Sequence, residues 1–145
     1  MRASESWRLR RLTLEALLRL CAARLLVRFV PLRRWRDRLG TVVATDRIAA
    51  LPPADPQAIA EARRLALHVE RAATRLPFAT KCLPRAIALA RMLQARDQSY
   101  CLRIATRPAH ERGDRDDLHA WVEIGGAKVI GDLPGTWVVI LNLLD

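Results

Sequence analysis

The sequence predicts an α+β domain made of a helical front half, one short internal helix and a small antiparallel sheet. Three observations carry this: apolar residues recur at helical spacing through two long stretches before residue 77, a Gly125-Gly126 pair separates two strand-like runs, and prolines punctuate the joins.

From about residue 4 to residue 30 the apolar stripe comprises Leu9, Leu12, Ala16, Leu20, Ala23 and Val27, and Leu14, Leu17, Leu18, Cys21 and Leu25 widen it. Arg8, Arg11, Glu15 and Arg19 form the other face. A stripe this wide needs cover from its own chain, a partner or a membrane surface. Pro31 closes the helix, and a second basic turn over 32–39 ends at Gly40. Residues 41–54 read as a connector stiffened by Pro52, Pro53 and Pro56. Asp55 before Pro56 is an N-cap with proline at the first helical position, so a helix is expected from there to Leu76. Its apolar face is Ile59, Ala62, Ala66, Val69 and Ala73, and His68 falls on the side expected to face solvent. Pro77 breaks this helix, and Thr80 is the expected cap of a third one running through Cys82 to about Gln94, with Pro84 in its first turn.

Tyr100 to Thr106 alternates like a strand, and 107–117 is a charged loop in which His110 is a solvated side chain. Leu118 to Ile124 and Ala127 to Leu133 are expected to form a hairpin, and Trp137 to Leu144 a buried strand, although its period also allows a helical turn. The division this suggests is a helical extension over 1–54 and a core over 55–145.

The chain has 145 residues, 51% of them apolar and 28% charged, which suits one globular unit. Lys and Arg number 25 against 15 acids, a net charge of +10 that attracts anionic partners. No helix-turn-helix, zinc-finger or RNP pattern accompanies the charge, so nucleic acid is not the expected partner. Cys21, Cys82 and Cys101 form neither an even framework nor a CxxC pair, which argues against disulfides and structural zinc and fits a reducing cytoplasm. Arg19, Arg24 and Arg28 interrupt the apolar run of the first helix, which argues against a membrane span or an ordinary signal segment.

With a two-residue turn at Gly125-Gly126, Ile124 faces Ala127, Glu123 faces Lys128, and His119 faces Asp132. Opposed residues share a face with Cβ atoms about 4.5–5.5 Å apart, within carboxylate–imidazole reach. In that register His119, Trp121 and Glu123 form a polar face, while Leu118, Ala120, Val122 and Ile124 form the core face. Cys82 differs from the other cysteines because it falls in the first turn of a helix, where free amides and the dipole favour a thiolate. Cys82 as nucleophile, His119 as base and Asp132 as its orienting partner make an arrangement for acyl transfer, with amides near Cys82 binding the oxyanion. Cys21 and Cys101 lie among apolar neighbours and read as structural, and Trp121 as a packing residue.

Lys81-Cys82-Leu83-Pro84-Arg85-Ala86, then Leu118-His119-Ala120-Trp121-Val122-Glu123, then Ile130-Gly131-Asp132 resemble the leader-removing B protein of lasso-peptide biosynthesis, a transglutaminase-like cysteine protease. The likeness extends to Leu32-Arg33-Arg34, Arg38-Leu39-Gly40 and Arg75-Leu76-Pro77. Leu118, Asp97 and Ala105 depart from the family's usual alanine, nearby glycine and nearby glycine. The resemblance implies a papain/transglutaminase-like fold, catalytic Cys82, His119 and Asp132, no cofactor and no metal. It implies removal of a leader after a threonine in its penultimate position, so that a separate cyclase can close the freed amine into a macrolactam. Residues 1–54 show no winged-helix pattern, so the stand-alone form is expected, with a discrete winged-helix leader-recognition protein as partner. An acyltransferase or amidase with the same triad, and a non-catalytic basic module that contacts a partner or membrane surface, stay open as alternatives.

Overall fold

A computed structural model describes residues 2–113 and 118–145. Helix α1 (Arg2–Phe29) leads through α2 (Leu32–Trp35) and a 3-10 turn (Arg36–Arg38) to strand β1 (Thr41–Val42) and α3 (Thr45–Ala49). Helices α4 (Pro56–Arg75) and α5 (Cys82–Gln94) follow, then β2 (Cys101–Thr106), a 3-10 turn (Ala109–Glu111), β3 (Leu118–Ile124), β4 (Ala127–Ile130) and β5 (Val138–Leu144). The strands form one antiparallel sheet in the order β1-β5-β2-β3-β4. The fold is thus α+β of the papain/transglutaminase-like kind, and residues 114–117 of the expected charged loop lie outside the described residues.

Helix α5 is the centre. Ala86 through Ala90 are all buried, as are Met92 and Leu93, because α1 and α4 cover one side of the helix and the sheet covers the other. Alanines at alternate positions, Ala86, Ala88 and Ala90, allow such close approach on every side, whereas an amphipathic helix would leave one face wet. Helix α4 starts where the sequence places it: the Asp55 carboxylate accepts the Gln57 amide at 3.1 Å and Pro56 takes the first position. Ala16, Leu20 and Ala23 of α1 join the same core as Leu65, Val69, Ile87 and Leu102.

Several expectations are corrected. The connector over 41–54 contains β1, which pairs with β5, and the short helix α3. Lys81, not Thr80, occupies the cap position of α5; the Thr80 hydroxyl instead accepts from Arg85 Nε at 3.0 Å. His68 is not solvated but fully buried between α1 and α4. The Thr13 hydroxyl donates to the Leu9 carbonyl at 3.2 Å, which leaves its oxygen to accept from His68 Nδ1 at 2.9 Å. Arg64 and Arg71 on the solvent side fit the helical period, and His68 alone turns inward because Thr13 offers it a partner. β5 is only partly buried, with Val138 and Ile140 exposed.

The hairpin begins as expected, with Gly125 and Gly126 both at positive φ, Ile124 opposite Ala127 and Glu123 opposite Lys128. It then slips: Val122 pairs with Ile130, not Val129, so a bulge interrupts the ladder and β4 ends at Ile130 rather than Leu133. One extra residue on β4 shifts everything beyond it by one position, so the direct opposition of His119 and Asp132 does not form. Nor is one face of β3 open, since His119 through Ile124 are all buried. Glu123 takes its charge partner from Arg103 at 3.2 Å rather than from Lys128, and accepts Trp121 Nε1 at 2.7 Å. Arg103 Nε continues that network to Asn142 at 2.8 Å, so the second face is a packed polar layer.

Candidate active site

Cys82 is the first residue of α5, and the loop before the helix is tied down from two sides. Arg85, one turn into the helix, donates to the Thr80 hydroxyl and reaches Glu70 of α4 at 2.8 Å. These bonds hold the start of the helix against α4 and present the half-buried Cys82 to a cleft. The amides of Cys82 and Leu83 head the helix, where no intrahelical carbonyl can receive them; Pro84 has no amide, and the Arg85 amide already bonds to the Lys81 carbonyl at 3.5 Å.

The cleft encloses about 580 Å³, and both Cys82 and His119 line it. The Cys82 sulfur lies 3.9 Å from the carbonyl oxygen of Leu118, the residue before His119. The topology explains this meeting: β3 runs beside α5, and its first residues reach the sheet end that faces the helix start. Cys21 and Cys101 lie elsewhere, both free; Cys101 is buried, and burial pushes its thiol up to about 11.

His119 is held by three contacts. Its Nε2 bonds to the Gly131 carbonyl. A carbonyl only accepts, so Nε2 carries the proton and Nδ1 of the neutral ring keeps the lone pair that a base requires. The ring lies beside Trp121 at 5.5 Å and Trp137 at 4.8 Å between centroids. Burial lowers the His119 pKa, the Gly131 bond opposes that shift, Lys128 and Arg107 lower it further, and Asp132 raises it by the smallest contribution. The result is an imidazole that stays neutral to lower pH than usual.

Gly131 makes this possible. Its φ is +81°, and a Cβ there would sit 2.6 Å from the Ala120 carbonyl oxygen, so the chain just past β4 passes this close to β3 only with glycine. Asp132 follows it, with its side chain 83% exposed and 3.7 Å from Lys128 Nζ. The site therefore gathers Cys82 and His119 on one cleft, whereas Asp132 stands at the surface behind the carbonyl that holds the ring.

Sequence reasoning passed over Gly131, Trp137 and Arg85 as parts of the site. A glycine directly before the expected carboxylate was the one signal for Gly131; nothing in spacing distinguished Trp137. Arg24 and Arg28 of α1 also line the cleft. The Arg24 guanidinium stacks over Phe78 at 3.6 Å, and its Nη1 is buried without a hydrogen-bond partner, a donor that a substrate carbonyl or carboxylate would satisfy. His110 is the solvated side chain expected, 80% exposed beside Glu111. Among the described residues no group of three or more His, Cys, Asp or Glu side chains could hold a metal ion.

Compared with curated proteins and with solved structures, the chain finds no match. The family comparison does: the transglutaminase-like superfamily matches residues 26–140, a span that takes in Cys82, His119 and Asp132 together with the whole of α4, α5 and β1 to β4. With a helix-borne cysteine and a strand-borne histidine meeting on one cleft, and most of the chain matched, this protein belongs to the transglutaminase-like superfamily.

Proposed function

We propose that the chain is a cysteine peptidase that removes the leader from a ribosomally made lasso-peptide precursor, with Cys82 as nucleophile and His119 as general base. The observation that carries the catalytic part is that the thiol at the head of α5 and the imidazole on β3 line one cleft, with Nε2 of the ring fixed and Nδ1 left basic. The lasso assignment rests on the segments around Cys82, His119 and Asp132.

In this reading the Cys82 sulfur attacks the scissile carbonyl while His119 takes the thiol proton, and the amides of Cys82 and Leu83 receive the developing oxyanion. His119 then gives the proton to the leaving amine, which departs as the core peptide's new N-terminus and leaves the leader as a thioester. Water, deprotonated by His119, attacks the thioester and releases the leader acid and the thiol. Asp132 acts on the imidazolium through its charge, behind the Gly131 carbonyl. The chemistry needs no metal or cofactor.

A discrete winged-helix recognition protein would present the leader, and a macrolactam-forming cyclase would take the freed amine, in the cytoplasm. The test is to incubate the protein with a synthetic lasso-type precursor carrying threonine in the leader's penultimate position, with and without such a recognition protein, and to weigh the products. Hydrolysis at the leader–core junction, one residue beyond that threonine, lost in Cys82→Ala, supports the reading. An amine adduct of the leader would mean an acyltransferase, and cleavage by folded Cys82→Ala would refute the nucleophile.

A further inference from the structure

Helix α1 is apolar on two opposite sides. Its inner side, Ala16, Leu20 and Ala23, is buried against the core. Its outer side carries Trp7, Leu14, Leu18, Leu25 and Phe29, each between 55% and 70% exposed. At about 100° per residue these five fall within an arc of about 60°. They form one stripe roughly 33 Å long, at 1.5 Å per residue.

We propose that this outer face of α1 rests on the surface of an anionic lipid bilayer and holds the cleft at the lipid boundary. Trp7, Leu18 and Phe29 are related by an eleven-residue step, as are Leu14 and Leu25, so the stripe runs nearly straight along the axis. The same residues also hold seven-residue steps, Trp7 to Leu14 and Leu18 to Leu25, so the charge beside the stripe, not its period, selects the surface.

Charge selects the sign of the surface. Helix α1 holds seven arginines and two glutamates. Glu15 is already taken by Arg96 and Arg19, at 2.8 and 3.1 Å. Arg8, Arg10, Arg11 and Arg28 are exposed beside the stripe, with Arg11 lying over Trp7 at 5.0 Å and Arg28 over Phe29 at 5.7 Å. Apolar side chains rimmed by arginine suit the boundary between acyl chains and anionic headgroups. No helix among the described residues is long and apolar enough to cross a membrane, so the helix lies along the surface. Because Arg24, Val27 and Arg28 line the cleft that holds Cys82, a bilayer under Leu25 and Phe29 would place that opening beside it.

Flotation of the full chain with vesicles tests this. The protein should float with vesicles containing phosphatidylglycerol and stay in solution with phosphatidylcholine alone. Raised salt should weaken binding, and Leu18→Glu/Leu25→Glu should reduce it at least about tenfold. A thermal midpoint equal to the parent's shows that this variant is folded, and the salt titration of the parent tests the idea without any variant. Failure of the folded parent to float with anionic vesicles overturns the proposal. So does parent-like flotation of the double variant, or a parent that elutes as a dimer dissociated by the double variant. Cys82→Ala should float as the parent does, so this result is independent of the peptidase reading.

Discussion

His68 and His119 are both buried, both have pKa values lowered chiefly by burial, and both bond through one ring nitrogen to an oxygen on another element. They differ in what lies on the other side of the ring. His68 is sealed between α1 and α4, where Thr13 meets Nδ1. His119 lines a cleft that the head of α5 and the Cys82 thiol also line. Burial alone therefore does not mark a working imidazole. What sets His119 apart is a proton fixed on one nitrogen, a lone pair left on the other, and a thiol on the same cleft, the features that the proposed base needs.

The sharpest way to break this comparison is to remove each ring in turn. His119→Ala should lower cleavage per folded molecule by roughly 10²–10⁴-fold, the usual contribution of a general base, over and above the stability lost with its buried contacts. His68→Ala should cost about 2 kcal/mol of stability, because it opens a cavity and strips Thr13 of its partner, while leaving cleavage per folded molecule near the parent's. Equal loss of cleavage in both proteins would erase the distinction.

Gly131→Ala tests the contact that holds the His119 ring. A Cβ at φ +81° and 2.6 Å from the Ala120 oxygen must displace the chain after β4, at a cost of roughly 1–3 kcal/mol. Cleavage should fall about tenfold or more as the Nε2 bond loosens. A stable, fully active Gly131→Ala protein would show that the Gly131 carbonyl does not position His119.

Acid probes both rings at once. The unfolded chain protonates its histidines near about pH 6.5, whereas the folded state resists until lower pH because both pKa values are lowered. Below that point the unfolded state binds more protons, so stability is fully present above about pH 6.5 and declines as pH falls. Urea midpoints across this range should drop, and His68→Gln should flatten the decline. A midpoint insensitive to pH would contradict the burial argument.

The smallest effect is expected at Asp132. Its carboxylate is exposed and paired with Lys128, so solvent screens its action on the imidazolium. Asp132→Asn should cost less than about tenfold in cleavage. A loss as large as that of His119→Ala would instead mean that Asp132 swings in to bond the ring during turnover.

These contrasts show where the sequence was readable. The helix starting at Asp55-Pro56 and the Gly125-Gly126 turn follow local rules of capping and positive φ, and both form as read. Cys82 and His119 were legible as candidates because each sits on an element with a clear period, and the topology that joins those elements brings both to one cleft. The His119–Asp132 register was not, since the extra residue between Lys128 and Ile130 arises in the ladder beyond the turn, where the turn's own rules do not reach. His68 was misplaced for a related reason: periodicity puts it on the wet face, and only Thr13, 55 residues away, draws it inward. Trp137 meets His119 through a long-range contact that no local pattern announces.

The central claim is that Cys82 and His119 act as a pair, and alkylation of the intact protein tests it without any knowledge of the substrate. Treated with limiting iodoacetamide at neutral pH and digested for mass spectrometry, the parent should be modified at Cys82 long before buried Cys101, and His119→Ala should slow the Cys82 reaction at least about tenfold. Cys82 labelling at the same rate with and without the imidazole, or labelling no faster than that of Cys101, would contradict the account.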